Sequence, residues 1–271
     1  MLESVRKLFE REKIEYFAAA DYSFLEEINP KLITRSGFPP KSVIVFLLPY
    51  YTGETVNISR YSASLDYHII IKEITDKLIR ELKQNYPEYN FAGFGDHSPI
   101  NEREAALSCG LGILGDNGLI INEKYGSYVF IAEILTDLPP DVLGAAKPEA
   151  VLRCEGCGAC KKICPTGCLS DYEKECLSAI TQKKGDLSFE EIALIRKHRT
   201  VWGCDACQYA CPHNSSPVLT PIDFFYKERI EELTSDILNA MSDEEFKRRA
   251  FAWRGRKTVE RNLGYFESED N

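Results

Sequence analysis

Two stretches early in the chain carry apolar residues at helical spacing, and near-continuous apolar runs separate them. Leu2, Val5, Leu8 and Phe9 fall on one face with charged residues between them, which predicts an amphipathic helix over 2–13. Ile14–Ala20 reads as a short strand, and Asp21–Ser23 offers caps for a brief helix. After Pro39-Pro40 the run Ser42–Leu48 is apolar almost throughout, the pattern of a buried strand. Ile70, Ile74, Leu78 and Leu82 mark the core stripe of a long helix from about Tyr67 to Gln84. Phe91–Gly95 predicts a short strand that delivers Asp96 at its end, and Glu102–Cys109 a helix. Leu119–Asn122 and Tyr128–Leu135 predict two strands around a Glu-Lys-Tyr-Gly turn. Pro139-Pro140 to Pro148 reads as a linker. Phe189–His198 predicts a helix with a solvent-exposed His198, and the segment after Pro221 a helical, polar tail. Strands and helices mixed in this way give an α+β class.

Cysteine spacing adds the first chemistry. Cys154, Cys157, Cys160 and Cys164 follow one another at gaps of two, two and three, with Pro165 after them; Cys204, Cys207 and Cys211 repeat the theme before Pro212. Thiolates at such short gaps wrap backbone around one compact inorganic core. In the bacterial two-cluster ferredoxin pattern the fourth Cys of a run ligates the other cluster. Cys154, Cys157 and Cys160 are therefore expected to bind one 4Fe–4S cluster with Cys211. Cys164, Cys204 and Cys207 are expected to bind a second, with Cys176 as its fourth ligand and Cys168 as a spare. A zinc ribbon would want two pairs of Cys rather than a three-step run.

Composition narrows the setting. The 271 residues suffice for one sizeable core and a smaller module, and 44% hydrophobic content is that of an ordinary globular chain. The longest apolar run, Val43–Leu48, is too short to cross a bilayer, and the charged first residues do not form a secretory signal. Ten Cys without such a signal imply metal ligation in a reducing cytoplasm. A net charge of −9 argues against broad nonspecific binding to nucleic acid or membrane. Locally, 247–261 holds seven Lys/Arg against Glu260, before an acidic end at Glu267, Glu269 and Asp270. Gly110, Gly112, Gly115 and Gly118 crowd one block, a density that lets backbone approach a ligand closely or adopt positive φ. Their spacing is not that of a dinucleotide-binding fingerprint.

Five blocks in order resemble the epoxyqueuosine reductase family, the cobalamin-dependent iron–sulfur enzymes of tRNA queuosine synthesis. They are Arg60-Tyr-Ser-Ala-Ser-Leu-Asp-Tyr-His68, Asp96-His-Ser-Pro-Ile-Asn-Glu-Arg103, Gly110-Leu-Gly-Ile-Leu-Gly-Asp-Asn117, Tyr125 to Thr136, and Trp202 to Asn214. The resemblance spans roughly 40–215. It implies a nitroreductase-like cobalamin-binding domain over 1–145, a bacterial two-cluster ferredoxin-like domain over 146–220, and a short helical, partly basic tail over 221–271. It places the family's general acid on Asp96, the cobalamin contacts on Arg60, Tyr67, His68, Gly112, Gly115 and Asn117, and the second cluster's remaining ligand on Cys176. Reducing an epoxide to an alkene consumes two electrons and two protons and releases water, so an acid near the departing oxygen is required. Asp96 is expected to be desolvated by its surroundings, the corrin and the substrate, so as to hold a proton near neutral pH.

The family's glycine block typically carries Trp and Lys where this chain has Ile113 and Asp116, and losing the cation weakens any phosphate contact there. Longer members also carry helical repeats for tRNA that this sequence lacks. The implied partners are a tRNA anticodon loop, met by Trp253 and the basic residues around it, and an external electron donor such as flavodoxin or ferredoxin. No membrane is implied, and the protein is expected to be a cytoplasmic monomer. The competing expectations are a corrinoid, iron–sulfur reductase of a small molecule and a ferredoxin-type electron carrier.

Overall fold

The apolar run after Pro40 becomes a strand buried along its whole length, because strands flank both its edges. The structure, a computed structural model, describes residues 2–145, 147 and 149–267. Ala146 and Pro148 of the expected linker, and the acidic end at Glu269 and Asp270, lie outside the described residues. Contacts divide the chain into two units, Met1–Pro49 with His68–Gly156, and Tyr50–Tyr67 with Cys157–Asn271. This division cuts across the boundaries read from the sequence. Residues 50–67 belong with the cysteine-bearing segment rather than with 1–145, and 221–271 belongs to that same unit.

The first unit runs α1 (Leu2–Arg11), β1 (Phe17–Asp21), α2 (Pro30–Ser36), β2 (Ser42–Pro49), α3 (Tyr67–Asn85), β3 (Phe91–Phe94), α4 (Glu102–Ser108), β4 (Ile113–Leu114), β5 (Ile120–Ile121), β6 (Val129–Thr136) and α5 (Pro140–Leu143). The main sheet has the order β1-β2-β6-β3, antiparallel throughout, and β4 pairs with β5 in a small second sheet. Side chains alternate across a strand, so each face of β2 serves its own layer. Val43, Val45 and Leu47 join Ala105, Ala106 and Leu107 of α4, Ile120 and Leu135 in one core. Opposite, Phe46 meets Phe9 of α1 edge-on at 5.1 Å, and Phe9 stacks on Phe17 at 4.5 Å. Helix α3 presses on β3 so closely that a Cβ on Gly93 would lie 2.5 Å from Thr75 Cβ. Helices on both faces of an antiparallel sheet are the α+β arrangement that the pattern predicts.

The second unit holds α6 (Ala159–Ile163), α7 (Leu177–Thr181), α8 (Phe189–His198), α9 (Ala206–Tyr209), α10 (Ser235–Ala240), α11 (Asp243–Lys247) and α12 (Arg256–Glu267). Ser188 and Glu191 form a capping box that starts α8 where the periodicity begins. Trp202, fully buried, donates from Nε1 to the Tyr61 hydroxyl at 2.9 Å and meets Phe251 edge-on. Around it Ile58, Val201, Leu233, Leu238, Phe246, Val259 and Leu263 form a core. The tail is therefore not simply polar. Its apolar residues sit a few at a time on short helices, too few per helix to show a period. Buried Asn262 ties the tail in by donating to the carbonyls of Thr181 and Val201 at 2.7 and 2.8 Å. Among the described residues no helix is long and apolar enough to cross a membrane.

Candidate active site and cluster cysteines

Strand β3 ends at Phe94, and the turn beyond it carries Asp96 in the left-handed region at φ 62, which Asp tolerates better than most residues. Two contacts fix this turn. Asp96 N donates to Glu102 Oε2 at 2.9 Å, and Asp96 Oδ2 lies 3.2 Å from His68 Nε2. Glu102 is held there because Asn101 caps α4, accepting from Glu104 N at 3.2 Å. His68 comes from the first turn of α3, so the sequence-distant 68 and 96 meet at one edge of the sheet. The Asp96 side chain is 56% exposed in the cofactor-free chain, so the protein alone does not supply the desolvation expected from corrin and substrate.

The carboxyls that are desolvated lie behind it. Burial, with Asp96 as the next cause, pushes Glu102 up to about 7; Arg103, His68 and the bond from Asp96 N pull the other way. Glu133 is fully buried, and neither of its oxygens is hydrogen bonded. Burial and then the charge of Glu102 push it up to about 8, while the nearby Ser98 hydroxyl opposes the shift. Glu133 lies opposite Phe94 and Val45 in the sheet, on the strand face of Val129, Ile131 and Leu135. An acidic residue at an inward position of an apolar alternation was the signal in the sequence, and no role was read from it.

These shifts couple to stability. The folded chain holds protons on Glu102 and Glu133 that an unfolded chain releases near about pH 4.3. Stability is thus expected to fall as pH rises from that range and to level off above about 8. Denaturant melts across pH should show the decline in the parent and a shallower one in Glu133→Gln.

A cavity of about 530 Å³ opens at this turn, lined by Asp96, Ser98, Glu102, Arg103, Gly118 and Ile131 among others. The glycine block borders it, yet Gly112 and Gly115 lack side chains for reasons internal to the unit. A Cβ on Gly112 would lie 2.6 Å from the Ile121 carbonyl oxygen, and one on Gly115 would lie 2.4 Å from Asn117 Oδ1. Gly112→Ala should accordingly destabilise even the cofactor-free chain, by about 1–3 kcal/mol, in a denaturant melt. Gly118, at φ 79, brings backbone to the cavity wall, where its carbonyl accepts from Arg103 Nη1 at 2.6 Å. Asn117 accepts from Leu119 N, while its buried Nδ2 has no partner.

The remaining expected contacts, Arg60 and Tyr67, belong to the second unit. Arg60, in the second unit, is buried and spends its guanidinium on Glu54 and on Asp205 Oδ2 at 3.1 Å, while its amide donates to the same Asp205 oxygen at 2.7 Å. Ser59 Oγ also donates to Asp205. Asp205 sits inside the second cysteine run, so the Arg60 block fastens that run in place. Tyr67 meets Tyr61 edge-on at 6.3 Å. A cavity of about 310 Å³ in this unit, lined by Arg60, His198, Cys204 and Asp205, has no acidic donor comparable with the Asp96 turn.

Helices α6 and α9, which carry Cys160 and Cys207, pack on each other. Cys164 and Cys168 Sγ lie 3.5 Å apart, and the charge of Cys176 acts on both Cys168 and Cys204. Cys164, Cys168, Cys176 and Cys204 thus share one neighbourhood. In the first unit Cys154 Sγ accepts from Asp116 N at 3.3 Å, a backbone bond of the kind that tunes a cluster sulfur. Among the described residues no three acidic, His or Cys side chains converge on a single ion position.

An α+β unit with an acid-lined cavity and a cysteine module of two-cluster spacing define an iron–sulfur oxidoreductase. The family model for a 4Fe-4S double cluster binding domain matches residues 153–214, and that for Epoxyqueuosine reductase QueG, DUF1730, matches 34–96. Epoxyqueuosine reductase of Listeria monocytogenes is 30% identical over 94% of this chain and 71% of its own length; that of Leadbetterella byssophila is 32% identical over 83% and 76%. The solved epoxyqueuosine reductase of Streptococcus thermophilus superposes with a TM-score of 0.79 at 24% identity, covering 98% of this chain and 80% of that one. Another, solved with an epoxyqueuosine-modified tRNA stem loop, gives 0.73 at 24%, over 97% and 80%. The chain belongs to the epoxyqueuosine reductase family.

Proposed function

We propose that this chain is a cobalamin- and iron–sulfur-dependent reductase that converts epoxyqueuosine in a tRNA anticodon loop to queuosine. The observation that carries the proposal is the Asp96 turn, held through its amide by Glu102 and through its carboxylate by His68 at the mouth of a cavity, in a chain that aligns along most of its relatives' length. The seven cysteines of the two runs, with Cys176, supply the eight thiolates that two 4Fe–4S clusters need.

Cobalamin suits the first unit on two counts. The cavity wall is partly backbone at Gly118, and the adjacent Asn117, not itself on that wall, keeps a buried amide donor without a partner. His68, Asn117 and Gly118 are the residues we assign to holding it, and when bound it supplies low-valent cobalt as the two-electron reductant. Gly112 and Gly115 act through the fold around the site, and Arg60 holds the second cysteine run through Asp205. Asp96 gives a proton to the departing epoxide oxygen, which leaves as water after a second proton. Clusters held by these cysteines would supply one-electron transfer from a donor of the flavodoxin or ferredoxin class.

RNA contact would fall on the tail. Trp253 is 59% exposed, with Arg254 stacked 3.7 Å over its ring. Of the seven basic residues there, Arg249 donates to the Glu228 carbonyl, Arg256 to those of Leu238 and Met241, and Arg261 to those of Lys183 and Gly185. Arg254 lies on Trp253 and Arg248 pairs with Glu228 at 3.1 Å, which leaves Lys247 and Lys257 exposed for phosphates, a small footprint that favours, as a second reading, a small-molecule substrate. Reconstitution with iron, sulfide and cobalamin, followed by assay on epoxyqueuosine-modified tRNA, tests the first reading. Conversion with a salt-dependent KM is expected. Corrin binding without conversion of that tRNA would move the assignment to the small-molecule reading.

A further inference from the structure

Two acids that the reaction scheme leaves unused stand behind Asp96. Removing the epoxide oxygen as water takes two protons per turnover, and Asp96 carries one. Each turnover therefore needs a further proton and leaves Asp96 ionised.

Glu133 is a carboxyl where β6 should present an apolar side chain. It shares its strand face with Val129 and Ile131 of the cavity wall, and Phe94 of β3 lies directly opposite it, two residues before Asp96. Fully buried without a hydrogen-bonded oxygen, it stays neutral unless a charge is forced into an apolar core. Glu102 lies between that core and the solvent, on the cavity lining, with one oxygen on Asp96 N. The charge of Glu102 acts on Glu133, so an ionised Glu102 hinders ionisation of Glu133. The groups acting on Glu102 are Asp96, His68 and Arg103; those on Glu133 are Glu102 and Ser98.

We propose that Glu102 and Glu133 form a two-carboxyl proton store behind Asp96, with Glu102 holding the Asp96 turn through its backbone amide and returning to Asp96 the proton spent on the substrate. This rests on Asp96 being the acid. Per turnover, Asp96 releases one proton to the departing oxygen and regains one from Glu102. That second proton completes the water and leaves Asp96 ionised again; Glu102, refilled from solvent through the cavity mouth, re-protonates it and is refilled once more, so two protons enter per turnover. Both electrons enter from the one-electron donor by way of the clusters. Glu102 and Glu133 are positioning and supply residues, since neither is placed against the substrate. The shifts of both acids into the neutral range fit a store that is full below about pH 7 and empties above about 8.

The test uses reconstituted holoenzyme of the parent, E102Q, E133Q and D96N. Gln can still accept the Asp96 amide but cannot carry a proton, and cluster absorbance reports that each variant is folded. Infrared difference spectra between acid and alkaline pH should show two protonated carboxyls losing their protons near neutrality in the parent. One of these signals should be missing from E102Q and the other from E133Q. Turnover in the parent should fall as pH rises through the neutral range, whereas E102Q should be slower by about tenfold at neutral pH with a flattened profile. Carboxyl signals that survive both substitutions, or a parental pH profile in E102Q, would overturn the proposal. Full turnover by D96N would instead remove Asp96 as the acid, and the infrared signals would still decide whether the store exists.

Discussion

Asp96→Asn is expected to leave both clusters and cobalamin bound while lowering turnover by about 10²–10⁴-fold. The substitution isolates the proton with little structural cost. Asn accepts the left-handed backbone at φ 62 about as well as Asp does, and the Asp96 amide still donates to Glu102. The ion pair with the half-exposed His68 weakens, and such pairs contribute little stability. Asp96→Ala would be a poorer probe, because it adds strain at positive φ to the loss of the acid. Single-turnover assays with cluster and corrin absorbance recorded on the same sample check the expectation. Turnover near the parent's would reject the role of Asp96.

Cys176→Ser is expected to remove one cluster and with it nearly all electron delivery, whereas Cys168→Ser keeps both. Bound iron should fall from about eight to about four atoms per chain in the first variant and stay near eight in the second. The four candidate thiols of this neighbourhood are not equivalent. Cys164 and Cys168 lie 3.5 Å apart, closer than two corners of one cube allow, so one of them must turn away when a cluster is held. Cys176 sits at the start of α7, exposed, and its charge reaches Cys204. Iron and sulfide analysis with electron paramagnetic resonance of the reduced protein checks this. A lost cluster in Cys168→Ser with an intact Cys176→Ser would exchange the two assignments.

The Glu133 carboxyl shows how a role can sit in plain view and go unread. Period-2 reading placed Tyr128–Leu135 as a strand and the structure has Val129–Thr136, but alternation alone does not say that an acid on the inward face is dry. Dryness depends on α4 and on the neighbouring strands, which come from distant parts of the chain. Arg60 and Gly112 read as cofactor contacts because their blocks match a family. Their local surroundings, an Asp205 carboxylate and the Ile121 carbonyl, are supplied by segments that sequence order keeps apart.

What the sequence determined by itself is whatever local spacing encodes. The cysteine runs, the buried strand after Pro40, the long helix from Tyr67 and the turn that presents Asp96 are set by residues within a few positions of one another. Tertiary structure decided which groups share a dry space and which spend their charges internally. It paired His68 with Asp96, buried Glu133 behind Glu102, and tied up Arg249, Arg256 and Arg261 on carbonyls of the tail's own unit. The physical reason is that a ligand run needs only short chain closure, whereas proton affinity and available charge depend on burial by remote segments.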